Sequence, residues 1–149
     1  MELPFADTVN YWKTNQSAPD SWIDKARRQI EKLGGTVTAE AFGRGADGRS
    51  AYMISFRINE NDFRVVWPVL PVKNARDERA ARVQAATMLY RDVKARCLSA
   101  VVLGARTAFF SYLLLPDGRQ ASEAATPEIG FLFPRLLSGG EREIVIVED

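Results

Sequence analysis

The chain has no histidine, one cysteine and no long apolar run in its 149 residues. The absence of histidine excludes the usual general base, the histidine-dependent catalytic triads and nearly every zinc site that is not all-cysteine. With Cys97 alone, neither an internal disulfide nor a cysteine cluster for a metal can form. That usage fits a reducing cytoplasm. Cys97 also falls on a helical apolar stripe, where a cysteine is most often a small buried hydrophobe. The longest apolar patch, residues 109–115, is interrupted by Ser111 and is far too short to span a bilayer. Residues 1–13 carry early acids and no apolar stretch, so they do not read as a secretory signal. No membrane, metal or cofactor is expected.

Apolar residues make up 46% and charged residues 26%, an ordinary balance for a globular chain. One domain is expected over residues 1–149: a lead-in (1–19), a core (20–119) and a C-terminal helix with an acidic tail (120–149). Net charge is only +1, but its distribution is uneven. Residues 20–119 hold 17 Lys/Arg against 11 Asp/Glu, whereas residues 120–149 hold 2 against 6. A basic body fits an anionic partner, with a tail able to compete for the same surface. Charge balancing for solubility explains the same numbers.

The pattern predicts an α+β fold: a three-stranded antiparallel meander packed against helices, in the order α-β-β-β-α. A first helix is expected at residues 20–33, with Ser21 and Asp24 as a capping box. Trp22, Ile23, Ala26, Ile30 and Leu33 form its apolar stripe, and Gly34-Gly35 ends it. Strands follow at 36–42, 50–58 and 63–70. The segment GRGADGR (43–49) forms the first turn and residues 59–62 the second. Tyr52, Ile54, Phe56 and Ile58 share one face with Phe63, Val65, Trp67 and Val69. Ser55, Arg57, Arg64 and Val66 share the other, open face, and Pro68 marks a strand end or an edge. A long helix is expected at 77–104, with Val83, Ala86, Tyr90, Val93, Cys97, Ala100 and Val101 on its core side. A shorter helical piece (105–115), an LPDGR turn (115–119), a helix opening at Thr126 and a β-prone tail (142–148) complete the chain.

One basic constellation could carry function. Arg44 and Arg49 flank the first turn, Arg57 and Arg64 share the open sheet face, and Lys73, Arg76, Arg79 and Arg82 run into the long helix. Phosphate recognition needs several cationic donors on one surface. The guanidinium fork suits it best, and 15 of the 20 basic residues are arginine. The competing reading is a solvated surface with ion pairs. Tyr11 and Trp12 are candidates for stacking on bases, while Tyr52, Phe56, Phe63 and Trp67 read as core. Asp92 and Lys94 superficially match a metal-dependent nuclease, but residues two apart on a helix do not face each other. The glycines of 43–49 lie between antiparallel strands with no Gly-Lys-Ser/Thr after them, so they are not a nucleotide loop. No enzyme is expected.

The order WPVLP (67–71), DVKAR (92–96), Gly104 and LPDGR (115–119) resembles a group of small phage and prophage proteins of unassigned function. The resemblance spans residues 22–137. It implies an accessory protein and brings no catalytic residues. This chain lacks the tryptophan that the group often has early in the long helix. The topology alone is similar to double-stranded-RNA-binding domains and to Rad52-type strand-annealing proteins, without their sequence motifs. Nucleic acid, DNA or RNA, is the partner these features imply. The alternative is a protein-interaction module, either an inhibitor of a host enzyme or a small homo-oligomer. That oligomer would assemble through the tail strand or the 109–115 patch.

Overall fold

The computed structural model describes residues 2–14, 17–45 and 48–122. Its first long element is helix α1 (Pro19–Lys32). Three strands follow, β1 (Thr36–Arg44), β2 (Ser50–Ile58) and β3 (Asn61–Pro68), and then helices α2 (Glu78–Leu103) and α3 (Ala105–Ala108). Short 3-10 turns lie at Ala6–Thr8, Ala75–Asp77 and Phe110–Tyr112. The strands pair antiparallel in the order β1-β2-β3, so the α+β meander is present as expected. The C-terminal helix at Thr126 and the tail strand lie outside the described residues.

Helix α1 starts and stops for identifiable reasons. Pro19 occupies its first position, where a missing N–H costs nothing. No side chain caps it. Ser21 and Asp24 are therefore not a capping box. Asp24 is turned to Arg27 and Arg28 instead, because Ser21 already lies inside the helix. At the other end Gly35 N–H donates to the Ile30 carbonyl (2.9 Å) and Gly34 N–H to that of Glu31 (3.0 Å), a Schellman closure. The two glycines serve different needs. Gly34 takes φ +98, whereas a Cβ on Gly35 would sit 2.8 Å from Ile30 Cγ2 and 2.9 Å from Ile58 Cγ1.

The sheet sorts its residues as the alternation requires. Tyr52, Ile54, Phe56, Ile58, Phe63 and Val65 are buried beneath the helices, while Arg57 and Val66 are exposed on the far face. Strand β3 begins two residues earlier than expected. The β2–β3 turn consists only of Asn59 and Glu60, with Asn59 at φ 57, and Ile58 pairs with Asn61. Pro68 is its last residue, where a missing donor does least harm. Strand β1 is an edge, bulged between Val37 and Ala39 and exposed over almost its whole length.

Helix α2 crosses the buried face beside α1. Its contact surface is unusually small-grained: Ala81, Ala85, Ala86 and Ala100 are buried together with Leu89 and Val93. Gln84 is fully buried, and its side-chain nitrogen lies 2.9 Å from the carbonyls of Ala6 and Asn10 and 3.2 Å from that of Val9. This amide, the Ala6 N–H bond to the Pro71 carbonyl and the Lys73–Asp7 and Lys13–Asp77 ion pairs hold the lead-in to the body. Gly104, at φ 89, ends α2.

Beyond Gly104 the structure departs from the pattern. The expected helical piece at 105–115 is only α3 and a 3-10 turn. Leu113 then runs antiparallel to Phe63, and Leu114 N–H donates to the Asp62 carbonyl (2.8 Å). Satisfying the outer edge of β3 competes with continuing the helix, and the edge wins. Phe109 packs on Phe56 and Phe63, with ring centroids 5.2 and 5.7 Å away. Phe109, Leu113 and Leu115 are buried, so most of the 109–115 patch is core, while Phe110 is half exposed. The LPDGR turn forms as expected, with Gly118 at φ 88 and its N–H on the Leu115 carbonyl. No helix among the described residues is long and apolar enough to cross a membrane.

Candidate nucleic-acid interface

The eight basic residues singled out by the sequence do not form one surface. Arg57 lies on the open sheet face, bound through one guanidinium nitrogen to both oxygens of Asp62 (2.9 and 3.0 Å). Arg64 shares that face and donates to the Gly118 carbonyl (2.9 Å), which ties the LPDGR turn to β3. Both are committed to local structure. Lys73 pairs with Asp7 (3.4 Å) and sits 5.3 Å from the Phe5 ring. Arg76 and Arg79 are exposed in the 3-10 turn and in the first turn of α2.

Arg44, Arg49 and Arg82 line one cleft of about 570 Å³, where Arg44 also donates to the Gly48 carbonyl (3.3 Å). Its walls come from four places: the β1–β2 hairpin end, residues 69–72 after β3, the start of α2, and Glu2, Leu3 and Phe5 of the lead-in. Each wall has a local cause. Gly48 at φ 82 closes the hairpin turn, with Gly45 N–H on the Arg49 carbonyl (2.7 Å), and this places Arg44 and Arg49 on either side. Ala6 N–H donates to the carbonyl of Pro71 in the 69–72 wall (2.9 Å), and Gln84 holds the residues that follow, so the lead-in is fixed as the fourth wall.

Phe42 forms part of the lining and is 42% exposed, a large apolar ring at the sheet edge. It stacks obliquely on Tyr52, with centroids 4.7 Å apart, and the Arg82 guanidinium carbon lies 5.3 Å from its ring. Burial pushes the Tyr52 hydroxyl pKa up, and the nearby positive charges of Arg82 and Arg79 pull against that shift. Glu2 and Glu78 are the acids in the lining. Three guanidinium groups and a half-open aromatic ring can bind an anionic group beside a flat one. Among the described residues no group of three potential metal ligands occurs.

Sequence reasoning missed Phe42 and Phe5 as site residues. Phe42 was only the last residue of the first expected strand, and the signal available was its place two residues before Arg44 at a strand end. Tyr11 and Trp12 do not reach the cleft; their rings lie 5.0 Å from Arg91 and 5.3 Å from Lys13. Asp92 and Lys94, already set aside as a nuclease pair on helix geometry, have different partners, and Lys94 lies 5.9 Å from the Tyr90 ring. Asp92 accepts from Tyr112 Oη (2.7 Å) and Arg96 Nε (2.9 Å), which fastens α2 to the chain after α3. The Tyr112 hydroxyl pKa is raised by burial and then by this bond.

Comparison of the chain with protein-family models, with curated proteins and with solved structures found no match in any of the three.

Proposed function

We propose that this protein binds nucleic acid without catalysing a reaction, and that single strands are held in the cleft of Arg44, Arg49 and Arg82. One observation carries the reading: the Arg82 guanidinium lies over the exposed Phe42 ring inside a cleft that two further arginines line. Single-stranded binders combine a cationic groove for the backbone with an aromatic ring on which bases stack. Arg79 and Arg76 extend the cation supply beyond the cleft, and the start of α2 adds partial positive charge. The resemblance to small phage and prophage proteins of unassigned function is compatible with this reading and adds no residue to it. The test is fluorescence anisotropy with labelled single- and double-stranded 20-mers at low salt. Single strands bind more tightly, and affinity falls with salt by about 0.7 in log–log slope per phosphate neutralised. No binding of either oligonucleotide at low salt would overturn the proposal.

A second reading, a protein-interaction module with no nucleic-acid affinity, is favoured by the apolar end of α2. Leu98, Val101, Val102 and Leu103 are all exposed there.

A further inference from the structure

A second groove, of about 610 Å³, lies between the C-terminal ends of α1 and α2. Leu33, Ala95, Leu98 and Val101 give it an apolar floor. Leu98 is 71% and Val101 73% exposed, and Val102 and Leu103 extend the bare surface. Its charged lining is Lys32, Arg91 and Lys94, with no acid among the lining residues. None of these three cations is in an ion pair among the described residues. The Arg91 and Lys94 charges rest over the rings of Tyr11 and Tyr90, at 5.0 and 5.9 Å. Contiguous exposed apolar residues rimmed by charge mark a docking surface.

We propose that this groove seats the chain's own acidic C-terminal segment, residues 141–149. The segment reads EREIVIVED: four consecutive β-branched apolar residues, bracketed by Glu141 and Glu143 on one side and Glu148 and Asp149 on the other. Its apolar run matches the floor, and its carboxylates match a rim that holds only cations. The reach is sufficient. The described chain ends at Ser122, just after Ala121 N–H donates to the Leu113 carbonyl beside Phe63 at the start of β3. Pairing of Thr36 with Arg57, and of Arg57 with Asp62, puts the C-terminus of α1 at that same end of the sheet. Residues 123–140 can extend about 3.3 Å each, roughly 60 Å in all, which exceeds the length of α2. A second copy of the groove is a poorer occupant. A two-fold contact would set Lys32, Arg91 and Lys94 against their own mates with no acid between them. The proposal does not depend on the nucleic-acid reading.

The test is zero-length carbodiimide cross-linking of the full chain at low micromolar concentration, in an equal mixture of ¹⁴N and ¹⁵N protein, read by mass spectrometry. The expected products join Lys32 or Lys94 to Glu141, Glu143, Glu148 or Asp149 within one isotope. A full-length Leu98→Glu/Val101→Glu variant, both changes at exposed positions, keeps its circular dichroism and loses those products. Mixed-isotope products would overturn the proposal in favour of exchange between copies. Tail carboxylates that link only to Lys13, Lys25 or Lys73, or to nothing, would overturn it in favour of another occupant.

Discussion

Helix α2 begins beside a cleft lined by Arg44, Arg49 and Arg82 and ends beside a groove floored by Leu33, Leu98 and Val101. The two ends are about 39 Å apart for 26 residues. The N-terminal end keeps its apolar side under cover and shows guanidinium groups to water. The C-terminal end buries Cys97 and Ala100 but leaves Leu98, Val101, Val102 and Leu103 bare. Apolar character is as high at the exposed end as at the covered one, so residue type does not explain the difference. Facing and neighbour length do: Leu98 and Val102 point away from the side that carries Val93, Cys97 and Ala100. Helix α1 has 14 residues, about 21 Å, and cannot cover the whole of a helix nearly twice as long. Burial in α2 is therefore set by what lies opposite each turn.

The largest expected effect tests that statement directly. Leu89→Ala, at a fully buried position in the middle of α2, should cost about 2–5 kcal/mol of unfolding free energy. Val102→Ala on the same helix should cost no more than about 0.5 kcal/mol, because its side chain is 80% exposed and lies outside the groove lining. Urea denaturation of the two variants measures both. Equal losses would show that the end of α2 is covered and would break the comparison.

Gln84→Ala probes the join between the covered half of α2 and the lead-in. It removes the donor for carbonyls of Ala6, Val9 and Asn10, and should cost about 1–3 kcal/mol. Hydrogen exchange should show the first loss of protection at Ala6 and Val9, whose N–H groups are bonded in the native lead-in. A uniform loss of protection across the molecule would mean that the lead-in is not a separate latch. The third effect is on binding alone. Arg44→Ala/Arg49→Ala/Arg82→Ala should lower single-strand affinity at least about tenfold and flatten its salt dependence. Arg57→Ala/Arg64→Ala should leave affinity unchanged, because those arginines serve Asp62 and the Gly118 carbonyl. An equal loss from the second pair would return the open sheet face to the site.

How far the sequence reveals these features depends on the range of the forces involved. The α1 stripe, the alternation of β2, the LPDGR turn and the end of α2 at Gly104 were legible because each is set by neighbours within a few residues. Val101 was misread as core because periodicity says which side a residue faces and not whether anything lies opposite. The 105–115 segment was misread because its competitor was the open edge of β3, which no local window contains. The basic cluster was legible as composition but not as a surface. Arg57 and Arg64 were taken up by partners in the next turn and 54 residues away, while Arg82 met Phe42 across the fold. Gln84 gave no signal at all, since a buried amide among alanines has meaning only once the lead-in returns to it.

Cys97 separates the two ends of α2 by chemistry, with the smallest effect at ordinary pH. It lies on the covered side where the groove begins, and burial pushes its thiol pKa from 9.0 up to about 11. Below about pH 9 the thiol is neutral in the folded and unfolded chains alike, so it contributes no pH dependence there. As pH rises past 9 the unfolded chain ionises while the folded chain resists. Stability therefore falls between about pH 9 and 11, by no more than about 2 kcal/mol. Other groups titrate in the same window, so the measurement is a difference. Urea midpoints of the wild type and Cys97→Ala are compared at pH 8 and pH 10.5. The wild type should lose stability relative to the variant at the higher pH, and native-state alkylation of Cys97 at pH 8 should be about a hundredfold slower than in urea. A constant difference between the two proteins, with ready alkylation of the native chain, would place Cys97 with Leu98 and Val101 on the bare end of the helix.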